Sequence, residues 1–199
     1  SIGSHERFGV VEIFGRNSGF TALYTALAAK PDRVIIPEVE FDKERLLELL
    51  VEDRAKNPSD YSIVLMSEGA KQIGGKEVVK HNETDSYGHE KLGGIGEQFA
   101  NSVKERTGRE IAEERLGYLL RSGPPVAKDK IAASVFANIT MDAILRNEFG
   151  VLAAVRNGKY CLVPLEETAA SPTKVDVERF YNSERYRPNY HNLEGITCF

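Results

Sequence analysis

The sequence has no tryptophan, and its 199 residues include only two cysteines, two methionines and four histidines. Cys161 and Cys198 match neither a CxxC ligand pair nor a disulfide framework, so a reducing, cytoplasmic setting fits. His5, His81, His89 and His191 have no metal-like spacing to one another, which argues against a zinc site. No stretch approaches the roughly 18 apolar residues of a membrane span, and Ser1-Ile2-Gly3-Ser4-His5 lacks the charged-then-apolar order of a signal peptide. A surplus of positive charge is missing too. With 26 Lys and Arg against 30 Asp and Glu, the net charge is −4. That leaves no broad cationic surface of the kind duplex nucleic acid or an anionic membrane requires. Any anion site must be local, made by a few placed arginines.

At 41% hydrophobic and 28% charged residues, the composition is that of a globular chain with one core of its own, read as one domain plus a tail. The first residue is not Met and stands shortly before a strand-like segment, so a cut through a larger chain is expected. Phe8 to Phe14 is a short, mostly apolar run closed by Gly15-Arg16-Asn17-Ser18-Gly19, whose glycines permit a tight turn. Phe20 to Ala29 reads as a helix, Arg33 to Val39 as a second strand, and Asp42 as the cap of a helix carrying Leu46, Leu47, Leu49 and Leu50. Tyr61 to Met66 makes a third buried-type strand. Apolar strands alternating with helices imply parallel crossovers, hence an α/β fold. The expected architecture is a three-layer, Rossmann-like domain with a mostly parallel sheet and helices on both faces.

From 71 to 91 the periodicity stops, and an exposed insertion is expected there. Gly93 to Gly96 opens a helix with Ile95, Phe99 and Val103 at spacing four. Arg115 to Arg121 reads as a fourth strand, Ile131 to Ala143 as a long helix, and Val151 to Pro164 as a hairpin turning at Asn157-Gly158. The expected division is a body over 1–165, containing the insertion, and an extension over 166–199 that wraps over the body or a neighbour.

Ligands of open parallel sheets collect at the carboxyl ends of the strands. That rule selects Gly15-Arg16-Asn17, Ser67-Glu68-Gly69, and Tyr118 with Arg121. Arg16 enters a helix N-terminus, a setting that suits an anion or a sugar hydroxyl. Glu68 offers two acceptor oxygens to neighbouring hydroxyls. Arg121 presents a guanidinium fork able to hold a phosphate through two hydrogen bonds. Taken singly, these residues are more often a turn arginine, a cap and a surface charge; their convergence on one crevice is what carries weight. Two other motifs fail. Gly69 to Glu77 has the lysine of a P-loop one place late with no Ser or Thr after it, and Gly94-Ile95-Gly96 is followed by Phe99 where the dinucleotide fingerprint needs glycine.

With these segments read, Ser4-His5-Glu6-Arg7 and Val10-Val11-Glu12-Ile13-Phe14-Gly15-Arg16 resemble the phosphofructokinase segment that carries the Met-Gly-Arg sugar motif. Val34 to Phe41 is similar to the family's next strand. Thr107-Gly108-Arg109-Glu110 followed by Leu116-Gly117-Tyr118-Leu119-Leu120-Arg121 matches its later order. Asp85 to Gly96 resembles the long forms of the family, and the likeness runs from Ser4 to about residue 165. It implies that Phe14, Gly15 and Arg16 contact fructose 6-phosphate, with Glu68 on the sugar hydroxyls and Arg121 on the 6-phosphate. Tyr118 stands where many ATP-dependent members have His and is more typical of pyrophosphate-using forms. Arg7 is similar to the arginine that reaches into an adjacent subunit's sugar site, which implies a homo-oligomer with shared sites.

Ala112 replaces a second arginine of the family, so either Arg115 substitutes for it or that contact is missing. Asp32 stands near the acidic residue of the short bacterial effector site, but Asn57 and Ser59 replace its lysines, so control of that type is not expected. The family's donor loop, general base and magnesium-binding aspartates would precede this sequence. The resemblance therefore implies the sugar-phosphate half of a 6-phosphofructokinase, without catalytic or metal-binding residues of its own. Its donor would be ATP or pyrophosphate with Mg2+, held mostly elsewhere. A noncatalytic sugar-phosphate-binding or subunit-interaction module is the alternative.

Overall fold

The computed structural model describes residues 2–75, 79–84, 90–92, 94–169, 173–191 and 193–194. Asp85 to His89 and Gly93, within the long-form motif, and Cys198 lie outside the described residues. Two compact units are present, one spanning Ser1–Arg121 and Lys174–Glu194, the other Ser122–Thr173.

The first unit is built on four parallel strands: β1 (Phe8–Ile13), β2 (Arg33–Ile35), β3 (Ser62–Ser67) and β6 (Ile111–Arg115), in the order β2-β3-β1-β6. Val10, Ile13, Val34, Ile35, Val64 and Met66 are fully or almost fully buried, as expected of strands covered on both faces. Helix α1 (Phe20–Ala29) links β1 to β2, and α2 (Lys43–Lys56) links β2 to β3. The Asp42 side chain accepts from the backbone N–H groups of Glu44 and Arg45, at 2.9 and 3.1 Å, and so caps α2. Leu46, Leu47, Leu49 and Leu50 form the buried face of that helix.

After β3 comes an antiparallel pair, β4 (Val79–Thr84) and β5 (Glu90–Leu92), where the sequence shows no strand periodicity. Helix α3 (Ile95–Thr107) follows, burying Ile95, Phe99 and Val103 and ending at Gly108 in the left-handed conformation. The chain then enters β6 on the far side of β1. Crossovers from β1 and from β3 thus depart in opposite directions, the condition that opens a crevice at the carboxyl edge of such a sheet.

The fourth strand begins and ends earlier than the sequence indicates. Leu116 donates its N–H to the Glu12 carbonyl at 2.9 Å, and β1 offers a partner for only one more residue. With its ladder exhausted, the chain turns, and Tyr118–Arg121 forms a 3-10 turn closed by the Leu120 N–H on the Gly117 carbonyl.

Residues 174–194 return to the first unit. Helix α6 (Val177–Phe180), numbered after α5 of the second unit, leads into the short strands β9 (Tyr181–Asn182) and β10 (Arg187–Pro188). Buried Tyr181 donates its hydroxyl to the Val34 carbonyl, and the Tyr186 hydroxyl accepts from the Asp42 N–H. Arg33, only 3% exposed, pairs with both oxygens of Asp53 at 2.6 Å and donates to the Arg185 carbonyl.

In the second unit, helix α4 (Ala127–Leu145) packs on the hairpin of β7 (Val151–Arg156) and β8 (Lys159–Pro164), and α5 (Leu165–Ala169) follows. Phe136 meets Tyr160 edge-on at 5.5 Å. Asn157 and Gly158, both at positive φ, make the hairpin turn that their residue types favour.

Candidate functional site

Strands β3, β1 and β6 are neighbours with β1 in the centre, so the loops leaving their carboxyl ends meet at one edge. Phe14, Gly15 and Arg16 follow β1, Glu68 and Gly69 follow β3, and Tyr118 and Arg121 lie on the turn after β6. Two backbone bonds hold the first two loops together: Glu68 N–H to the Ile13 carbonyl at 2.9 Å, and Gly69 N–H to the Gly15 carbonyl at 3.1 Å. Gly69 has no room for a side chain, because a Cβ there would lie 2.6 Å from the Arg16 carbonyl carbon and 2.8 Å from the Gly15 oxygen. Gly15 itself sits at φ 149°, a conformation that favours glycine. The close approach fixes the backbone of Arg16 beside Glu68.

Phe14 connects the first loop to the third. The Arg121 guanidinium carbon lies 4.1 Å from its ring centroid, and Tyr118 meets the same ring edge-on at 6.4 Å. Arg121 and Arg16 are exposed, and Tyr118 is 81% exposed. Among the described residues, Arg16 is engaged in no ion pair. Glu68 is half-buried. Burial pushes its carboxyl above the usual carboxylate range, a hydrogen bond with the Gly15 backbone opposes the rise, the Glu12 charge adds to it, and Arg115 and Arg121 pull it back down. The edge therefore brings the Arg16 backbone, the Glu68 carboxylate and the exposed Arg121 guanidinium to neighbouring loops, a set suited to a ligand with both a phosphate and hydroxyls.

Three further details bear on the site. At the start of α1, close after Arg16, the Gly19 N–H is taken by the Glu38 carboxylate at 2.8 Å. Arg115 is engaged within the chain, its Nε 2.9 Å from Glu12 Oε1. Arg7 is not part of the cluster: it precedes β1, pairs with Glu110 at 2.6 Å, and is separated from Arg16 by the whole strand, roughly 20 Å at about 3.3 Å per residue.

Sequence reasoning missed Glu12. It is 2% exposed and accepts from the backbone N–H groups of Gly94 and Gly96, both at 2.9 Å, as well as from Arg115. The signal was a lone charge inside the apolar run Val10-Val11-Glu12-Ile13.

A family profile described as phosphofructokinase matches residues 1–144. The chain belongs to the phosphofructokinase family. Among curated phosphofructokinase relatives, the pyrophosphate–fructose 6-phosphate 1-phosphotransferase of Thermoproteus tenax is 37% identical over 186 residues, 94% of this chain and 52% of that protein. The enzyme of the same name from Amycolatopsis methanolica is 35% identical over 181 residues, covering 91% and 52%. ATP-dependent 6-phosphofructokinase 3 of Streptomyces coelicolor is 34% identical, covering 91% and 53%. The chain spans about half the length of these relatives. A crystal structure of the pyrophosphate-dependent phosphofructokinase from Nitrosospira multiformis superposes with a TM-score of 0.76 at 20% identity, over 96% of this chain and 48% of that one. That likeness bears out the α/β fold with its mostly parallel sheet.

Proposed function

We propose that these residues form the sugar-phosphate-binding half of a 6-phosphofructokinase, a phosphotransferase that moves a phosphoryl group from ATP or pyrophosphate to the 1-hydroxyl of fructose 6-phosphate in glycolysis. The supporting observation is the convergence of Arg16, Glu68 and Arg121 at the carboxyl edge of three adjacent strands. Arg121 holds the 6-phosphate through its guanidinium fork, with the Phe14 ring as a backstop that limits the side chain's freedom. Glu68, as a carboxylate, accepts hydrogen bonds from sugar hydroxyls. Gly15 and Arg16 line the same pocket, and Tyr118 covers it from the side of Phe14. Holding the sugar by its phosphate and ring hydroxyls leaves the 1-hydroxyl facing the donor, and phosphoryl transfer depends on such positioning.

The donor, with its Mg2+, belongs in this reading mostly on the part of the enzyme outside these 199 residues. No group of three or more His, Cys, Asp or Glu among the described residues could hold a metal ion, and Glu68 lies among guanidiniums, a poor setting for a cation. Arg7, at the opposite edge of the sheet, would serve the sugar site of a second copy, making the enzyme a homo-oligomer with shared sites. Calorimetry with fructose 6-phosphate, followed by turnover assays of the intact enzyme with ATP and with pyrophosphate, tests the reading. Saturable binding and turnover with one donor are expected; absence of sugar-phosphate binding would overturn it.

A further inference from the structure

Glu12 and Arg33 are the buried acidic and basic side chains among the described residues. Arg33 is accounted for by Asp53 and the returning tail, whereas Glu12 occupies a strand where an apolar residue would cost far less to bury. Its placement gives the reason. One carboxylate oxygen receives the N–H groups of Gly94 and Gly96 at the start of α3, and the other receives Arg115 Nε. Its main-chain carbonyl receives the Leu116 N–H, the last contact before the turn that carries Tyr118 and Arg121. Two residues further along the chain, just past β1, is Phe14, on which Arg121 stacks. A single residue thus ties the start of α3, the end of β6 and the loop carrying Phe14 to one another. Two of the N–H groups at the start of α3 are taken up in doing so.

We propose that Glu12 is a positioning residue of the sugar-phosphate site, holding Arg115 and the Tyr118–Arg121 turn in register with Phe14 at the edge where Glu68 stands. The inference rests on the reading of the site given above. Arg115 keeps about a third of its side chain exposed although it is paired. The charged groups acting on Glu68 are Glu12 from β1, Arg115 from β6 and Arg121 from the turn, which makes the pH dependence of sugar binding a direct reporter of this arrangement.

The test compares E12Q, R115Q and R121A in the intact enzyme, measuring KM for fructose 6-phosphate and kcat from acid to neutral pH. Glu12→Gln preserves shape and removes the charge. It is expected to raise KM about tenfold, the scale of a weakened charge-assisted contact, with kcat within about threefold. The acid limb assigned to Glu68 should move to lower pH, because a repelling negative charge has gone. If E12Q does not fold, Arg115→Gln remains informative: it should also raise KM, but move the acid limb to higher pH. A residue that only supports the fold would lower the melting temperature without altering KM or the acid limb. Wild-type KM and an unmoved limb in the variants that fold, alongside a raised KM in R121A, would overturn the inference alone. Unchanged KM in all three would overturn the reading of the site as well.

Discussion

Arg121 lies face-on over Phe14, its guanidinium carbon 4.1 Å from the ring centroid, although 107 positions of sequence separate them. The contact joins the loop after β1 to the turn after β6 and aims a cation at the edge of the sheet where Glu68 stands. Arg121→Ala in the intact enzyme should raise KM for fructose 6-phosphate about ten- to a hundredfold, the loss of roughly 1.5–3 kcal/mol from one charge-assisted contact. Arg121→Lys should fall between, since an ammonium lacks the planar fork. Steady-state kinetics at saturating donor measure both.

Phe14→Leu keeps an apolar side chain but removes the ring face. The stacking is worth about 0.5–1 kcal/mol at an exposed site, so KM should rise only about two- to fivefold, with the melting temperature little changed.

The fold was readable where one physical signal dominated. Buried strands gave unbroken apolar runs, Asp42 announced a cap that its two backbone contacts bear out, and Gly108 closed α3 in the conformation its missing Cβ allows. The turn over Tyr118–Arg121 was misread because Leu116 to Leu120 has strand-like composition, and only the length of β1 decides where pairing stops. The hairpin β4–β5 was hidden because its polar sequence carries no alternation. Of the site residues, Arg16 and Glu68 could be selected from strand ends, whereas Arg121 was selected from a strand that in fact ends at Arg115. Their adjacency depends on the order β2-β3-β1-β6, which the sequence pattern does not specify. Glu12 went unnoticed because its partners, Gly94, Gly96 and Arg115, are all distant in sequence.

Gly69→Ala places a methyl group against the backbone of Gly15 and Arg16, which cannot yield as a flexible side chain would. Destabilisation of about 1–3 kcal/mol is expected, together with weaker sugar-phosphate binding from the displaced loop. Chemical denaturation and calorimetry measure the two effects.

Burial raises the Glu68 carboxyl above its ordinary pKa of 4.5 in the folded protein. In the window between those two values the folded state holds more protons than the unfolded chain, so stability falls as pH rises through it. Binding runs the opposite way, because the hydroxyls require the ionised form. Fructose 6-phosphate affinity should therefore weaken on acidification at a pH above that of an ordinary glutamate, and Glu68→Gln should remove that limb of the profile. Calorimetric titrations across this range check the sign.

Asp53→Asn leaves the buried Arg33 guanidinium without its counter-charge while the Arg185 carbonyl still accepts from it. A loss of about 3–5 kcal/mol is expected, read as an earlier urea midpoint. The affinity of the remaining folded protein for the sugar phosphate should be unchanged, since Arg33 and Asp53 are not among the side chains that meet at the carboxyl edge.

A crystal structure of the intact enzyme with fructose 6-phosphate is the most direct measurement. The account predicts one hexose phosphate whose 6-phosphate meets Arg121, whose hydroxyls meet Glu68, and which lies against Gly15 and Arg16. Sugar phosphate bound elsewhere, with Arg16, Glu68 and Arg121 of the same chain touching no common ligand, would contradict it.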